Sequence, residues 1–405
     1  LTEVADPGTI TFPLPRTCPF APPDEYRRLR EEEPVTKVDL PNEGEQMWVV
    51  ARHEDVRAVL ADTRFSSNSH HPAYPRLNKS DGSAPQQGRR VILNLDPPEH
   101  GESRRSVVGE FTVRRMEALR PRIQQIVDQH IDAMLAGPKP VDVVAAFALP
   151  VPSLVICELL GVPYADHSFF ETRSAKMVDR ATPLDERSEA SDAVMGYLHG
   201  LVQSKLAEPT EDLLGRLAAQ ADAADPIAVA DLVGMAVALL VAGHETTANM
   251  IGLGVLAFKE HPDQLAIIRE DPSKISNAVE ELLRYFTVAD TVALRVATED
   301  IEVNGVTIPA GEGVLPLGYA ANRDPNVYPD PAAFDIERGS RQHVAFGFGP
   351  HQCIGQNLAR MELQIAFETL FRRLPNLELA VPVEELSFRE PSALVFGAHA
   401  IPVTW

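Results

Sequence analysis

The chain is 405 residues long, 44% hydrophobic and 23% charged, enough for a large core or for two or three domains. Its 58 Asp and Glu outnumber its 37 Lys and Arg, for a formal charge of -21, which argues against a nucleic-acid partner and against docking on anionic lipid. Cys18, Cys157 and Cys353 are too few for a disulfide framework, and the opening residues LTEVADPGTI carry neither a basic nor an apolar leader region. A cytoplasmic protein with no membrane attachment is expected.

In chain order, a Pro-rich start through Pro23 leads into a charged helix over Asp24 to Glu33. Short strands follow at Val35 to Asp39 and Met47 to Ala51, around a turn at Pro41 to Gly44, and then a helix over His53 to Asp62. Ser66 to Gln87 has no periodicity and reads as a long functional loop. From Pro98 to Asp222 helices succeed one another. Arg114 to Leu135 carries a 3.6-residue period, with Pro121 marking either a kink or a break, and a later helix stops at Gly161 and Pro163. A long helix spans Ile227 to Phe258; its most apolar part, Leu232 to Gly243, is shorter than the roughly 20 residues a bilayer needs. Asp300 to Pro309 is a hairpin about Asn304-Gly305, Ala321 to Gly349 a long loop, and Cys353 to Leu370 a helix, with short strands in the tail. The fold class is mainly α with a smaller β region. One domain covers 1–405: a helical body at about 53–290 and 353–372, and a strand-bearing region at about 1–52, 291–320 and 375–405.

Cys353 lies where the long loop gives way to helix, in Phe346-Gly347-Phe348-Gly349-Pro350-His351-Gln352-Cys353-Ile354-Gly355. A helix N-terminus lowers a thiol's pKa and so favours the metal-ligating thiolate, and the glycines let backbone amides approach the sulfur. The spacing F-x-x-G-x-H-x-C-x-G is a strong motif. It closely resembles the haem loop of the cytochromes P450, which implies that fold, a haem b cofactor and Cys353 as axial ligand to its iron, with Phe346 and Gly355 among the cofactor-binding residues. There is no C-x-x-C-H for covalent attachment.

Ala242-Gly243-His244-Glu245-Thr246-Thr247 falls inside the long helix. A mid-helix Gly243 leaves room for a ligand, and a Thr246 hydroxyl beside a Glu245 carboxylate can hold water and pass protons; a tolerated Gly and a Thr bonded to its own turn is the plainer alternative. The resemblance implies an acid–alcohol pair serving dioxygen activation. A zinc H-E-x-x-H site fails because Ala248 replaces the second His. Glu281-Leu282-Leu283-Arg284 alone reads as a helix-surface pair; by resemblance it is buried and joined by Arg338 to support the haem loop. His100 and Arg104 share one helical face after Asp96-Pro97-Pro98-Glu99, and with Arg295 and His351 they match the family's haem-propionate contacts.

Met235, Leu239, Ala242 and Thr246 recur at helical spacing, as either a pocket wall or a core stripe. The resemblance adds Leu93, Leu95, Met177, Val288, Val292, Leu294, Val395 and Phe396 to the substrate pocket. This lining is apolar and implies a lipophilic substrate such as a macrolide, statin-type polyketide, sterol or terpenoid, with Arg76, Arg89 and Arg90 as polar candidates. Residues 338–361 hold Arg338, Arg341 and Arg360 without an acid, and Arg104, Arg105, Arg114, Arg115, Arg120 and Arg122 face Glu110 and Glu117. That is either a docking patch for an acidic ferredoxin or arginines paired at home. No flavin or iron–sulfur segment is visible, so electrons would come from a ferredoxin and a separate NAD(P)H-dependent reductase. The expected activity is hydroxylation with O2; the alternatives are a non-catalytic haem-thiolate gas or redox sensor and a peroxide-driven fatty-acid hydroxylase, against both of which the intact acid–alcohol pair speaks.

Overall fold

A computed structural model describes residues 10–77, 91–178, 182–221, 226–339, 341–390 and 393–405. Its helices are α1 (Asp24–Glu32), α2 (His53–Ala61), α3 (Glu99–Val108), α4 (Val113–Ala136), α5 (Pro150–Leu160), α6 (His167–Val178), α7 (Leu184–Ala207), α8 (Leu213–Ala218), α9 (Pro226–Glu260), α10 (Pro262–Glu270), α11 (Ile275–Phe286), α12 (Gly318–Ala321) and α13 (Gln356–Arg373). The strands are β1 (Val35–Asp39), β2 (Gln46–Val50), β3 (Phe65–Ser66), β4 (Val141–Asp142), β5 (Arg295–Ala297), β6 (Ile301–Val303), β7 (Val306–Ile308), β8 (Gly313–Pro316), β9 (Glu378–Leu379) and β10 (Pro402–Thr404).

The helical body is built around α9, which packs on α5, α7, α13, α6 and α11. By length and composition Val229–Glu260 is long enough to cross a membrane, more than the twelve-residue stretch picked out by hydropathy; half of its most apolar window is buried inside the molecule. Gly254 explains one close approach: a Cβ there would stand 2.2 Å from the ring of Phe367 on α13. Helix α4 buries Met116, Ile123, Ile126, Val127, Ile131 and Met134 at the expected period. It runs unbroken through Pro121, which is exposed, so the carbonyl freed by the missing N–H is open to water.

A five-stranded sheet, ordered β1-β2-β8-β5-β3, forms the smaller region; only β2 and β8 are parallel. Apolar side chains cover both faces, one cluster including Phe12, Met47, Leu294 and Leu317, the other Val50, Val59, Phe65 and Val314. β6 and β7 form the hairpin, with Asn304 (φ 49°) and Gly305 (φ 76°) left-handed, as an Asn-Gly turn of the primed kind requires. In the tail, β10 is the middle strand of a three-stranded antiparallel sheet, pairing with β4 on one side and β9 on the other.

Helix α13 begins at Gln356 and not at Cys353. Gly355 (φ -81°, ψ 4°) is outside helical geometry, so Cys353–Gly355 form a turn that aims backbone N–H groups inward before the helix starts.

Candidate functional site

The cysteine loop is fixed from both ends. Gly347 (φ 69°) and Gly349 (φ 72°) take left-handed conformations, and a Cβ on Gly349 would meet the Leu60 carbonyl of α2 at 2.6 Å. The N–H of Cys353 donates to the Phe346 carbonyl at 2.8 Å, closing the loop on itself. Burial pushes the Cys353 thiol up; the amides of Gly355 and Gln356 and the charges of Arg104 and Arg360 pull the other way. These are the features of a sulfur arranged to carry negative charge.

His100 and Arg104 from α3, Arg295 from β5, and His351 from the loop gather beside it. The rings of His100 and His351 lie 3.8 Å apart between centroids, and His351 Nε2 is 3.1 Å from Ser67 Oγ. Arg104 donates to the Gln352 carbonyl at 2.7 Å and Arg295 to the Leu294 carbonyl at 2.9 Å. Burial and the neighbouring Arg295, His100 and Arg104 hold His351 down at about 3. Asp96 is the nearby acid, but its carboxylate accepts from Ser66 Oγ and from the Ser67 N–H. Neither of the two guanidinium groups, Arg104 or Arg295, forms an ion pair among the described residues, and burial with these same charges holds His100 as well as His351 below the usual histidine range. A cluster with this unmet positive field beside a sulfur donor fits a group that carries an iron and two carboxylates, which is haem.

Helix α9 supplies the opposite wall. Ala242 is exposed although it sits mid-way along the central helix, so open space lies against it. Thr246 Oγ1 donates to the Ala242 carbonyl at 2.7 Å. Consecutive helical residues point about 100° apart, and Glu245 accordingly turns to the tail. Its carboxylate is 0% exposed; Oε2 accepts from Arg389 Nη2 at 2.8 Å, while Oε1 has no hydrogen-bond partner among the described residues and lies 3.9 Å from His244 Nδ1. Asn249 Nδ2 donates to the Glu245 carbonyl at 2.7 Å. His244 is buried with Nδ1 2.8 Å from Ser174 Oγ on α6, and burial holds it below the usual histidine range. Among the described residues no three or more His, Cys, Asp and Glu are grouped so as to hold a metal ion.

Gly243 needs a correction. The direction its side chain would take is filled by Ile156 Cδ1 at 3.0 Å, so this glycine admits α5 and not a ligand. Leu294 also departs from expectation: it is 6% exposed within the sheet's core beside Phe12 and Met47, because it immediately precedes β5 and its side chain serves that strand's inner face. Leu93 and Val292 are exposed apolar side chains at 57% and 52%, and the turn holding Leu93 packs on α9. Leu95 and Met177 are half-buried; Met235, Leu239, Val288, Val395 and Phe396 are buried in the main core. The Phe396 N–H donates to the Val288 carbonyl at 2.8 Å, so the tail and the segment after α11 form one wall. Arg76 is exposed; Arg89 and Arg90 lie outside the described residues.

Glu281, Arg284 and Arg338 come together. Arg284 donates Nε to Glu281 Oε2 at 2.8 Å and Nη2 to Oε1 at 2.6 Å, and Arg338 Nε reaches Oε1 at 3.3 Å. Arg284 also donates to the carbonyls of Asn322, Pro331 and Ala333, pinning the loop that precedes the cysteine. Much of the basic patch is paired within the chain: Arg115 with Glu110, Arg120 with Glu117, Arg122 with Glu158, and Arg360 with Glu280. Arg105, Arg114 and Arg341 form no ion pair among the described residues. Sequence reasoning missed Arg389, Ser174 and the Glu280–His343–Arg360 cluster. Only the paired Glu280-Glu281 hinted at any of them.

A family model described as cytochrome P450 matches residues 169–396. The chain is 47% identical over 395 residues to the vitamin D3 dihydroxylase of Streptomyces griseolus, covering 97% of this chain and 96% of that protein. The crystal structure of cytochrome P450 MoxA from Nonomuraea recticatena superposes with a TM-score of 0.90 at 53% identity, over 98% of each chain. That of the mycinamicin VIII C21 methyl hydroxylase MycCI from Micromonospora griseorubida, bound to mycinamicin VIII, gives 0.92 at 42% identity, over 98% of this chain and 100% of that one.

Proposed function

The chain belongs to the cytochrome P450 family and is a haem b monooxygenase, and from that premise we propose that it hydroxylates a lipophilic natural product. Haem held by a thiolate supplies the chemistry that activates O2 and places one oxygen atom in an unactivated C–H bond. Cys353 would hold the iron, and His100, Arg104, Arg295 and His351 the propionates. Thr246 would keep a hydroxyl at the open face of α9 and hold water there. Glu245, seated behind it against Arg389, would take part in moving protons to that water. Electrons would come from a ferredoxin served by an NAD(P)H-dependent reductase, docking in the cytoplasm at arginines such as Arg105, Arg114 and Arg341, which form no ion pair among the described residues.

The observation that carries the substrate class is the open apolar wall: Leu93, Ala242 and Val292 stay exposed although α9 crosses the core. Such a wall binds by shape and apolar area and accommodates a polycyclic or macrocyclic skeleton. The structural relative bound to mycinamicin VIII and the curated relative named for vitamin D3 point to a macrolide or a secosteroid. Optical titration of the purified ferric protein with macrolides, statin-type polyketides, sterols, terpenoids and fatty acids tests this. A high-spin Soret shift with one of the ring compounds is expected. A shift with linear fatty acids alone would overturn the substrate class, and absence of any haem band after haem is supplied would overturn the assignment.

A further inference from the structure

Beneath the cysteine loop lies a second ionic cluster, separate from the Glu281 network. Glu280 on α11 is 2% exposed. Its Oε1 accepts from Arg360 Nε at 2.6 Å, and its Oε2 from Arg360 Nη2 at 3.1 Å and from His343 Nε2 at 3.0 Å. His343 Nδ1 accepts the Ala345 N–H at 3.3 Å, so Nε2 is the nitrogen that donates to the carboxylate. Burial raises Glu280, but the hydrogen bonds from His343 and Arg360 outweigh it and hold the group at about 2, a permanent anion.

Arg360 stands one turn and a half along α13 from the cysteine turn. Its Nη1 donates to Gln356 Oε1 at 2.9 Å, and its guanidinium lies 4.6 Å from the centre of the Phe346 ring. Phe346 in turn supplies the carbonyl that takes the Cys353 N–H. Arg360 is therefore held on three sides, by a bidentate carboxylate, an amide and an aromatic face, and its charge bears on the Cys353 sulfur.

We infer that Arg360 and Glu280 are positioning residues that set the electron density at the Cys353 sulfur: Arg360 stabilises negative charge there, and Glu280 both fixes that guanidinium and offsets part of its field. A brace that only held the loop would depend on shape. Here the guanidinium's charge bears on the sulfur, and the carboxylate that holds it carries the opposite charge. His343 adds a third hydrogen bond to Glu280, on the Oε2 that Arg360 Nη2 also reaches, and so helps fix its orientation. The inference rests on Cys353 being the axial ligand of the haem.

The ferric/ferrous midpoint potential of the haem-loaded protein tests it, read together with the type of Soret band in the reduced carbon-monoxide complex. Added positive field favours the electron-richer ferrous state. Glu280→Gln, close to isosteric, should therefore raise the potential, and Arg360→Gln should lower it. The double variant should return toward the wild-type value, since the two losses cancel. Arg360→Lys keeps the charge and should move the potential far less than Arg360→Gln; it also serves if Arg360→Gln does not accumulate. Unchanged potentials, or shifts of one sign in both single variants that retain thiolate-type bands, would overturn the inference. A wild-type protein without a thiolate-type band would overturn instead the assignment of Cys353 on which it stands.

Discussion

Thr246 and Glu245 are adjacent in sequence yet face different surroundings, and that divergence decides what each can contribute. The Thr246 hydroxyl is bonded to the Ala242 carbonyl one turn back, a bond that fixes its rotamer and leaves its lone pairs toward the open face. Removing it should leave O2 reduction intact while spoiling water placement. Thr246→Ala is thus expected to divert NAD(P)H consumption from product into peroxide, measured as the ratio of the two with a surrogate ferredoxin; unchanged coupling would remove Thr246 from this role. Glu245 is wholly buried and has Arg389 as its cation. Arg389→Met would strand that carboxylate, and breaking one side of a buried pair costs about 3–5 kcal/mol. The loss should appear as a lower denaturant midpoint. Glu245→Gln on the Arg389→Met background should recover part of it, because the stranded charge is gone.

At the scale of elements, α9 shows how far glycine decides packing. Gly254 and Gly200 are both helical, and replacing either by Ala gains up to about 1 kcal/mol of helix propensity. Gly254 faces the Phe367 ring at 2.2 Å, and that ring is itself packed edge-on against Phe258, so it cannot give way cheaply. Overpacking there costs about 1–3 kcal/mol, so Gly254→Ala should destabilise on balance. Nothing stands within 4 Å of a Cβ on Gly200 of α7, so Gly200→Ala should stabilise. Thermal unfolding of the pair checks both signs. The same helix marks the limit of reading from sequence. Its span and the Asn304-Gly305 hairpin were legible because periodicity and turn chemistry are local. That Gly243 faces Ile156 was not, since it depends on which helix crosses α9 at that point. Arg389 was equally hidden: an arginine 144 residues from its partner carries no local signal. His100, Arg104, Arg295 and His351 could be grouped in advance only because a spaced family pattern stood in for the tertiary contact that brings His100 against His351. The start of α13 moved from Cys353 to Gln356 because a turn of three residues looks, in sequence, like the first turn of a helix.

For the whole molecule, buried ionisable groups of opposite tendency make stability against pH a test of the fold. His53 and His244 are held below their ordinary 6.5 by burial. Their contribution is complete above that value and is lost as pH falls through it, because the unfolded chain takes up protons that the folded one refuses. Glu362 and Asp290 are buried carboxyls raised above their ordinary 4.5 and 3.8 by burial. They act the other way: the folded state holds protons that the unfolded state has released, so acidification toward those values is stabilising. The two tendencies oppose each other between neutrality and about pH 4.5, and a plateau is expected there. Below it the compensation from Glu362 ends first, and that from Asp290 ends near its ordinary 3.8. Glu280, held at about 2 against an ordinary 4.5, then begins to lose a contribution of about 3 kcal/mol, and stability should fall steeply. Denaturant midpoints of the haem-loaded protein from pH 8 to 3 should show the plateau and the break. Glu362→Gln, which removes one of the compensating groups, should turn the plateau into a slope that declines from about pH 6.5 downward. A wild-type profile already falling steadily from neutrality would mean that the buried carboxyls are not protonated in the folded state.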